Sequence, residues 1–385
     1  MFQGQPGTKS TVKFEVASRA TSARKAAMGS GTRCGASFDR LLVVALAGLL
    51  ASLAGCVIAV GSFGETERLE RSFDVDPSPH AERLQQLTIE LDRGSVEVRA
   101  HDVATVRIEA RASGLSAGRY RFEAKQDEDG VELTGRDNLR VYIPALPSFL
   151  WRDDNEVRVR VWVPRPYAVR IRTQHGRVDL SGIEGDVRVQ ASHGRVEVTS
   201  IGGNVDVRTT HARLRVESVA GDVEIDTEHT PVTVSRIAGS LDINSRHSRV
   251  DVSEVSGPVR VRTSHSPVEI SSATAIEVEN SYGSIRLYDA VGPVYARNQH
   301  GSIEAHFRSA PSGELQTNHS RIEIEIPEGE GIDLDAMASH GRVSLGREIE
   351  VDGLFERDRI LAQLNGGGDR LRVTATHGSI ELYSR

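Results

Sequence analysis

The chain has few cysteines and few aromatic residues. Its 385 residues include two cysteines, and Phe, Trp and Tyr together make up 5% of the sequence. So few cysteines exclude a disulfide framework, and so few aromatic side chains leave a thin core for smaller aliphatic residues to fill. Helical hydrophobic periodicity is also absent from residues 170–305. Stability must therefore come from stacking of short β units.

Histidine recurs every 18 residues along the middle of the chain. The regular positions are His175, His193, His211, His229, His247 and His265. The spacing then shifts by one, with Tyr282 in the histidine position, and the series continues at His300, His319, His340 and His377. A fixed period of this size is typical of repeat proteins in which each unit stacks on the one before it.

Aliphatic residues keep the same register as the histidines. After His175, for example, Val178 and Leu180 alternate with polar residues, and most residues in these columns are β-branched. This alternation indicates half-buried strands, and a recurring glycine such as Gly185 marks a turn. The sequence therefore predicts an all-β, single-chain β-solenoid with about 18 residues per coil and coils about 4.8 Å apart.

The repeat divides the chain into five segments. We expect a signal segment at 1–55 with Met28 as an alternative start, a lipid anchor and tether at 56–85, an irregular N-terminal β cap with the first coils at 86–170, regular repeats at 171–345, and a loop excursion with a final coil at 346–385. The irregular period of the cap segment is expected where the first coil must be shielded from edge pairing.

An apolar run precedes the second cysteine. Residues 41–55 follow basic residues and end at Cys56, which is the layout of a secretory signal. The Leu-Ala-Gly-Cys segment resembles the bacterial lipobox, which implies cleavage and acylation of Cys56. An uncleaved apolar helix over 41–60 is the alternative anchor. Both anchors place the repeats outside the cytoplasmic membrane, and Val57, which is not Asp, favours the outer membrane.

Both tryptophans lie in the irregular segment before the regular repeats. Phe149 and Trp151 belong to an apolar loop, residues 144–151, that is punctuated by prolines. Such a loop either folds back as a cap or contacts a partner or membrane, and both interpretations stay open.

Three motifs recur or stand at characteristic places over residues 85–385. They are the strand-ending Val-Trp-Val-Pro at Pro164, the repeated turn-Gly-x-Val-x-Val unit, and the closing Thr-His-Gly-Ser-Ile-Glu-Leu at Leu382. This series resembles a bacterial putative-adhesin family of β-solenoid domains of unknown function. The resemblance implies a secreted, anchored or lipid-tethered envelope protein without catalytic residues to transfer. The chain departs from the family pattern by placing His at turns where relatives usually carry Asn or Asp.

The histidine column admits three interpretations. By parity the histidines lie on the inner face or at a corner, where stacked imidazoles would bond to turn backbone. A pH response is a second interpretation, because many close imidazoles cannot all be charged cheaply. Weak metal binding is a third, since imidazole is a common ligand. We predict a structural ladder without a metal or cofactor, because no cysteine joins the column and ligands in a line do not converge.

Charge and motif content narrow the class of function. Seven basic and two acidic residues precede Cys56, so the remainder carries a net charge of −12. Because binding phosphates needs a basic face, we do not expect a nucleic-acid partner. No catalytic triad or metalloprotease motif is present, and the acidic column of Asp186 and Asp222 is interrupted by Asn204. We therefore predict no enzyme, with a polysaccharide-acting β-helix enzyme as a remote alternative.

The favoured function is a non-catalytic envelope lipoprotein that presents a rigid solenoid for surface contact, as an adhesin or a scaffold. Its partners would be the membrane, through the lipid, and a surface glycan or protein of unknown identity. A periplasmic binding module that senses stress or pH is the alternative. Accessibility of the solenoid on whole cells separates the two.

Overall fold

The described part of the chain consists of β-strands and their connections. A computed structural model describes residues 67–75, 85–113, 120–138, 156–346 and 349–384. The predictions for the signal segment, Cys56, the 41–60 helix, Phe149 and Trp151 lie outside these residues. Among the described residues, no helix is long and apolar enough to cross a membrane.

Seven strands precede the regular repeats. They are β1 (Glu67–Asp74), β2 (Gln86–Arg93), β3 (Ser95–His101), β4 (Thr105–Ala112), β5 (Tyr120–Gln126), β6 (Gly130–Asp137) and β7 (Val157–Pro164).

The strands of the regular region follow. They are β8 (Ala168–Ser181), β9 (Val187–Ile201), β10 (Val205–Thr210), β11 (Ala212–Val219), β12 (Val223–Glu228), β13 (Val232–Ile237), β14 (Leu241–Arg246), β15 (Val250–His265), β16 (Val268–Tyr282), β17 (Ile285–Ala290), β18 (Pro293–Asn298), β19 (Ile303–Phe307), β20 (Ser312–Thr317), β21 (Ile322–Ile326), β22 (Ile332–Ala338) and β23 (Val343–Leu345). The chain ends with β24 (Val351–Phe355), β25 (Arg359–Leu364), β26 (Asp369–Ala375) and β27 (Ile380–Ser384).

Successive repeats pair in parallel with equivalent residues side by side. Val205 of β10 lies opposite Val187 of β9 on one side and Val223 of β12 on the other. Strands such as β10 and β12 alternate buried with more exposed residues, because successive side chains of a strand point to opposite faces. The fold is all-β and solenoid-like, as the sequence predicts.

The core is a set of continuous Val, Ile and Leu columns. Val178, Val196, Leu214 and Val232, one from each of four successive repeats, are 0–1% exposed. Aliphatic side chains in register fill the narrow interior without aromatic rings, which accounts for the low aromatic content. Burial of these columns is the main term that stabilises such a structure.

A glycine column allows the repeats to approach closely at one turn. A Cβ added to Gly221 would lie 2.5 Å from the carbonyl oxygen of Gly203, the glycine of the preceding repeat. Contacts this short with backbone cannot be relieved by a side-chain rotation. The recurring glycine is therefore required by the close approach of backbone between coils.

The strands at the N-terminal end do not stack in chain order. β2 lies between β6 and β8, and β3 lies between β7 and β8. Antiparallel strands follow outward, with β5 on β6, β4 on β7 and β1 on β4. β1 falls within the predicted tether, so that prediction is wrong for Glu67–Asp74. The strand forms because Leu69 and Phe73 alternate with polar residues and pack against the core.

The order is also rearranged at the C-terminal end. β26 lies between β20 and β22, and β27 lies between β21 and β23. The expectation that each unit stacks on the one before it is therefore wrong here. The predicted loop excursion instead contains β24 and β25, which form an antiparallel pair, and β25 also pairs antiparallel with β22. The final coil of the sequence is consequently held on both sides.

Candidate functional site

The recurring histidines form a continuous ladder of stacked rings. Ring centroids of neighbours lie 4.6–5.3 Å apart and the interplanar angles are 5–24°. In stacking order the rings are His175, His193, His211, His229, His247, His265, Tyr282, His300, His319, His377 and His340. His377 lies between His319 and His340 because its coil is the inserted one. We call this column the ring ladder.

The ring ladder lies on the outside of the solenoid, at a corner. All six histidines that the sequence analysis selects are exposed. The inner position beneath the corner belongs to the residue two places earlier, such as the buried Thr209 before His211. Alternation along a straight strand would place the ring on the same inner face as the residue two places earlier. The chain turns at the histidine, so the ring lies outside instead. The alternative that put the histidines on the inner face is wrong, and the corner alternative describes their position.

At several coils a residue with positive φ turns the chain at the corner, in one of two ways. Gly176 and Gly194, each directly after a ring, take φ angles of 145° and 127°. At other coils the histidine itself adopts the left-handed region, with φ of 54° at His211 and 51° at His229. That conformation costs a non-glycine residue on the order of 1 kcal/mol. Both solutions leave the imidazole in the same stack.

Hydrogen bonds to the neighbouring coil hold some of the rings. His319 donates from Nδ1 to the carbonyl oxygen of Gln299 at 3.3 Å, and His340 donates from Nδ1 to that of Thr376 at 3.2 Å. Both acceptors precede a ring of the adjacent coil. The contacts fix ring orientation through backbone rather than through other side chains.

A buried polar column lines the inside of the same corner. The hydroxyl of Thr227 donates to Oγ of Ser245 at 3.1 Å, and that of Thr209 bonds to Thr230 at 3.2 Å. Further along, Nδ2 of Asn298 donates to the carbonyl oxygen of Gly283 at 2.7 Å. Buried polar groups need such partners, so this column ties successive coils together beneath the ring ladder.

A shallow groove runs beside the ring ladder. Its volume is about 650 Å³, and it is lined by outward side chains of successive coils, including Arg172, Gln190, Arg208 and Asp226. On the other side of the ladder, the surface arginines Arg177 and Arg249 are engaged by carboxylates. Arg177, for example, contacts Asp179 at 2.6 Å. The outer surface is therefore polar and charged in repeating columns.

The acidic column that the enzyme alternative considered connects coils. Asp186 accepts a hydrogen bond from the backbone N–H of Asn204 at 2.8 Å, and Asn204 accepts one from the N–H of Asp222 at 2.9 Å. Asp222 in turn accepts from Ser240, and these hydrogen bonds hold the pKa of Asp222 below its usual value. The interruption by Asn204 is explained because an amide oxygen accepts the same bond.

One cluster of ionisable side chains lies outside the histidine period. The half-buried imidazole of His306 contacts Glu304 at 3.0 Å and also contacts Glu325 on the next coil. On the same face, the hydroxyl of Tyr383 lies 3.2 Å from Glu323, and burial, followed by the nearby carboxylates, raises the pKa of Tyr383 to about 12. Sequence reasoning missed this cluster because His306 has no counterpart at the repeat spacing. Its signal is a histidine two residues after a glutamate in a short alternating strand.

Comparison with known proteins identifies the family. The family model described as Toastrack DUF4097 matches residues 84–383. The chain belongs to this family. The resemblance to a putative-adhesin family of unknown function is thereby confirmed. The Toastrack match spans the ring ladder and the rearranged C-terminal end; it begins just before β2 and leaves out β1.

Solved structures that resemble this Toastrack chain are distant. One is a putative cell adhesion protein from Clostridium sporogenes, with 9% identity, 83% of this chain and 100% of that chain covered, and a TM-score of 0.21. Another is a putative adhesin from Bacteroides fragilis, with 8% identity, coverage of 84% and 100%, and a TM-score of 0.23. No curated protein matches the chain. The family assignment therefore rests on the Toastrack match alone.

Proposed function

We propose that this Toastrack protein is a non-catalytic envelope lipoprotein that contacts a surface partner through the outside of its solenoid. The observation that supports this most is the exposure of the ring ladder over eleven successive rings. A column of similar polar rings stacked at nearly constant spacing suits an extended partner, such as a glycan chain or a protein strand, better than a small molecule.

The construction of the solenoid supports a scaffold role. Its aliphatic columns are almost fully buried, and inter-coil bonds such as Thr227 to Ser245 tie the coils together. Close-packed interiors of this kind deform little, so the outer side chains keep fixed positions relative to one another. A partner that contacts several coils would thus meet a surface that is already ordered. Such preorganisation lowers the entropic cost of binding.

The anchor belongs to the same proposal. A lipid on Cys56 would hold the solenoid at a membrane outside the cytoplasm, and the outer membrane is favoured by Val57. Ten residues, 57–66, separate Cys56 from the start of β1. A linker of this length would keep the solenoid close to the membrane surface.

A periplasmic module that senses pH or stress is the second candidate function. The same exposed imidazoles favour it, because histidine changes charge near physiological pH. The two candidates require different locations, which one experiment separates.

Protease treatment of intact cells tests the proposal. We expect the solenoid to be cleaved on intact cells, and Cys56→Ser to abolish both incorporation of labelled fatty acid and membrane association. A permeabilised sample is the positive control, and a periplasmic protein is the control for cell integrity. Protection of the solenoid until permeabilisation would favour the periplasmic module. Fatty-acid labelling that persists in the Cys56→Ser variant would contradict the proposed anchor.

A further inference from the structure

We propose that Glu228, His229 and His247 form a binding site for a transition-metal cation such as Zn²⁺. One potential ligand atom from each of the three side chains lies within 4.8 Å of the other two. Oε1 of Glu228 lies 3.9 Å from Nε2 of His229. Imidazole nitrogen and carboxylate oxygen are both ordinary zinc ligands, and a water molecule can complete the coordination.

The residue directly before the ring is a carboxylate at the His229 coil. The residue just before each ring is uncharged in nine of the eleven coils, basic at Arg246, and acidic at Glu228. The uncharged residues are Gln174, Ser192, Thr210, Ser264, Ser281, Gln299, Asn318, Ser339 and Thr376. Two imidazoles in a stack recur all along the ladder, but the addition of an anionic oxygen distinguishes this position.

The ring ladder also departs from parallel stacking at this coil. His229 is inclined by 24° to His211 and by 19° to His247, whereas the other stacked pairs are inclined by 5–12°. Parallel imidazoles direct their nitrogens along parallel lines, while the ligands of one cation must converge. His229 is thus the ring that deviates most from parallel stacking, the arrangement in which ring nitrogens cannot converge on one cation.

The surrounding charges are compatible with a cation. Two residues after the ring, six coils carry an arginine, but the His229 coil carries Pro231. The arginines are at 177, 195, 213, 249, 321 and 342. The arginine nearest on that side of His247, Arg249, is engaged by Asp251 at 2.6 Å and Glu269 at 2.9 Å. Arg246 lies opposite Glu228 in the strand register. Its guanidinium is therefore the protein cation with which a bound metal ion would compete for this carboxylate.

Binding requires only small side-chain movements. Zinc bonds to nitrogen and oxygen are about 2.0–2.2 Å long, so ligand atoms of one tetrahedral ion lie roughly 3.3 Å apart. The present separations of up to 4.8 Å must close by about 1.5 Å at most. The side chains of His229 and Glu228 are 45% and 43% exposed, so they are free to make this adjustment. Because the site is not fixed in advance, we expect micromolar rather than tighter affinity.

Calorimetric titration of the purified protein with ZnCl₂ tests the site. We expect one binding event per chain that is at least about tenfold weaker in Glu228→Gln and in His247→Asn, since each variant loses a direct ligand. His193→Asn is the matched control, because it removes a stacked imidazole of the same ladder that has no adjacent carboxylate. Its affinity for Zn²⁺ should equal that of the unmodified chain. Circular dichroism checks that each variant retains the β structure.

A carboxylate added beside a parallel pair tests whether the inclination of His229 matters. Gln174→Glu places a carboxylate before His175, whose ring stacks 4.7 Å from His193 at an interplanar angle of 5°. Because the nitrogens of parallel rings do not converge, we expect no second Zn²⁺ to bind this variant, and a second bound ion would contradict the role assigned to the inclination. Absence of binding to the unmodified chain at 100-fold molar excess would overturn the proposal. An affinity unchanged in Glu228→Gln, or reduced equally by His193→Asn, would also overturn it, because the ladder would then bind zinc without a specific site.

Discussion

The Oδ1 atom of Asp222 accepts two hydrogen bonds from Ser240, one from the backbone N–H and one from the hydroxyl, each at 2.7 Å. The two residues occupy equivalent positions of successive repeats. At this turn, a side-chain oxygen of one coil therefore accepts a hydrogen bond from the backbone N–H of the next coil, in place of a backbone carbonyl. Asp186 accepts in the same way from Asn204, and Asn204 from Asp222. This bond gives polar residues at the turn a structural role that does not require a charge.

Asp222→Asn tests that role through the dependence of stability on pH. Hydrogen bonds from Ser240 lower the pKa of Asp222 in the folded protein, so its contribution is present above the unfolded-state pKa of about 3.9 and is lost as pH falls through the folded value. Asn keeps an acceptor oxygen but does not titrate. We expect the variant to match the unmodified chain in urea denaturation at pH 7 and to lose less stability between pH 4 and pH 2.

Asp226→Asn is the control, since it removes an exposed carboxylate from the same repeat. It should retain the steeper loss of stability in acid. Identical acid profiles for Asp222→Asn and the unmodified chain would contradict the assigned role.

Tyr120→Phe tests the buried hydroxyl near the N-terminal end. The Tyr120 hydroxyl lies 2.9 Å from the carbonyl oxygen of Arg93 and 3.0 Å from that of Gly135, and it accepts from the N–H of Arg93 at 3.3 Å. Loss of these bonds should reduce the free energy of unfolding by about 1–3 kcal/mol at pH 7. The exposed Tyr295→Phe is the matched control and should have little effect.

The same variant should change the alkaline profile. Burial raises the pKa of Tyr120 to about 12, so its contribution is complete below the unfolded-state value near 10 and is lost as pH rises towards 12. Tyr120→Phe should flatten that loss in denaturation curves at pH 9–11. Equal curves for Tyr120→Phe and Tyr295→Phe at every pH would show that the buried hydroxyl contributes nothing.

Gly221→Ala tests the close approach of the coils. The new methyl group would lie 2.5 Å from the carbonyl oxygen of Gly203, and this backbone cannot move aside as a flexible side chain can. We expect a loss of about 3 kcal/mol in the free energy of unfolding. Gly329→Ala is the comparison, because it meets nothing within 4 Å and bears only the cost of φ at +78°, about 1 kcal/mol. Equal destabilisation by the two substitutions would contradict the steric argument.

Removal of residues 366–385 tests the inserted final coil. A terminal repeat normally contacts one neighbour, but β26 contacts both β20 and β22, so its loss should also release β22 and β23. We expect limited proteolysis to cleave within 327–364 in the truncated chain. Deletion of residues 212–229, one full repeat, joins equivalent positions and should leave a folded, shorter solenoid. Protection of 327–345 after truncation would contradict the insertion.

The regular part of the fold was predictable because its information is local and repeated. Apolar residues such as Val178 and Val196 recur in one register, so a period and an alternation are enough to predict stacked strands. The ends were not predictable by this reasoning. Whether β26 lies before or after β22 depends on which exposed strand edge it pairs with, and the pattern of its own side chains is the same in either position.

The ring ladder shows the same division. The spacing of His175 and His193 predicts that equivalent rings meet, but their side of the corner depends on backbone angles that parity cannot provide. At His211 and His229 the left-handed φ turns the ring outward. The inclination of His229 depends on its three-dimensional surroundings, so the site that we propose around Glu228 needed the structure.

Labelling of an introduced cysteine tests most directly that the corner of this solenoid is exposed at the cell surface. Thr210→Cys places a thiol in the exposed column beside the ring ladder, and Ser245→Cys places one in the buried column beneath it. With a maleimide that cannot cross membranes, we predict rapid labelling of Thr210→Cys on intact cells and no labelling of Ser245→Cys until the protein is denatured. Labelling of Thr210→Cys only after the outer membrane is permeabilised would contradict surface contact and assign the protein to the periplasm.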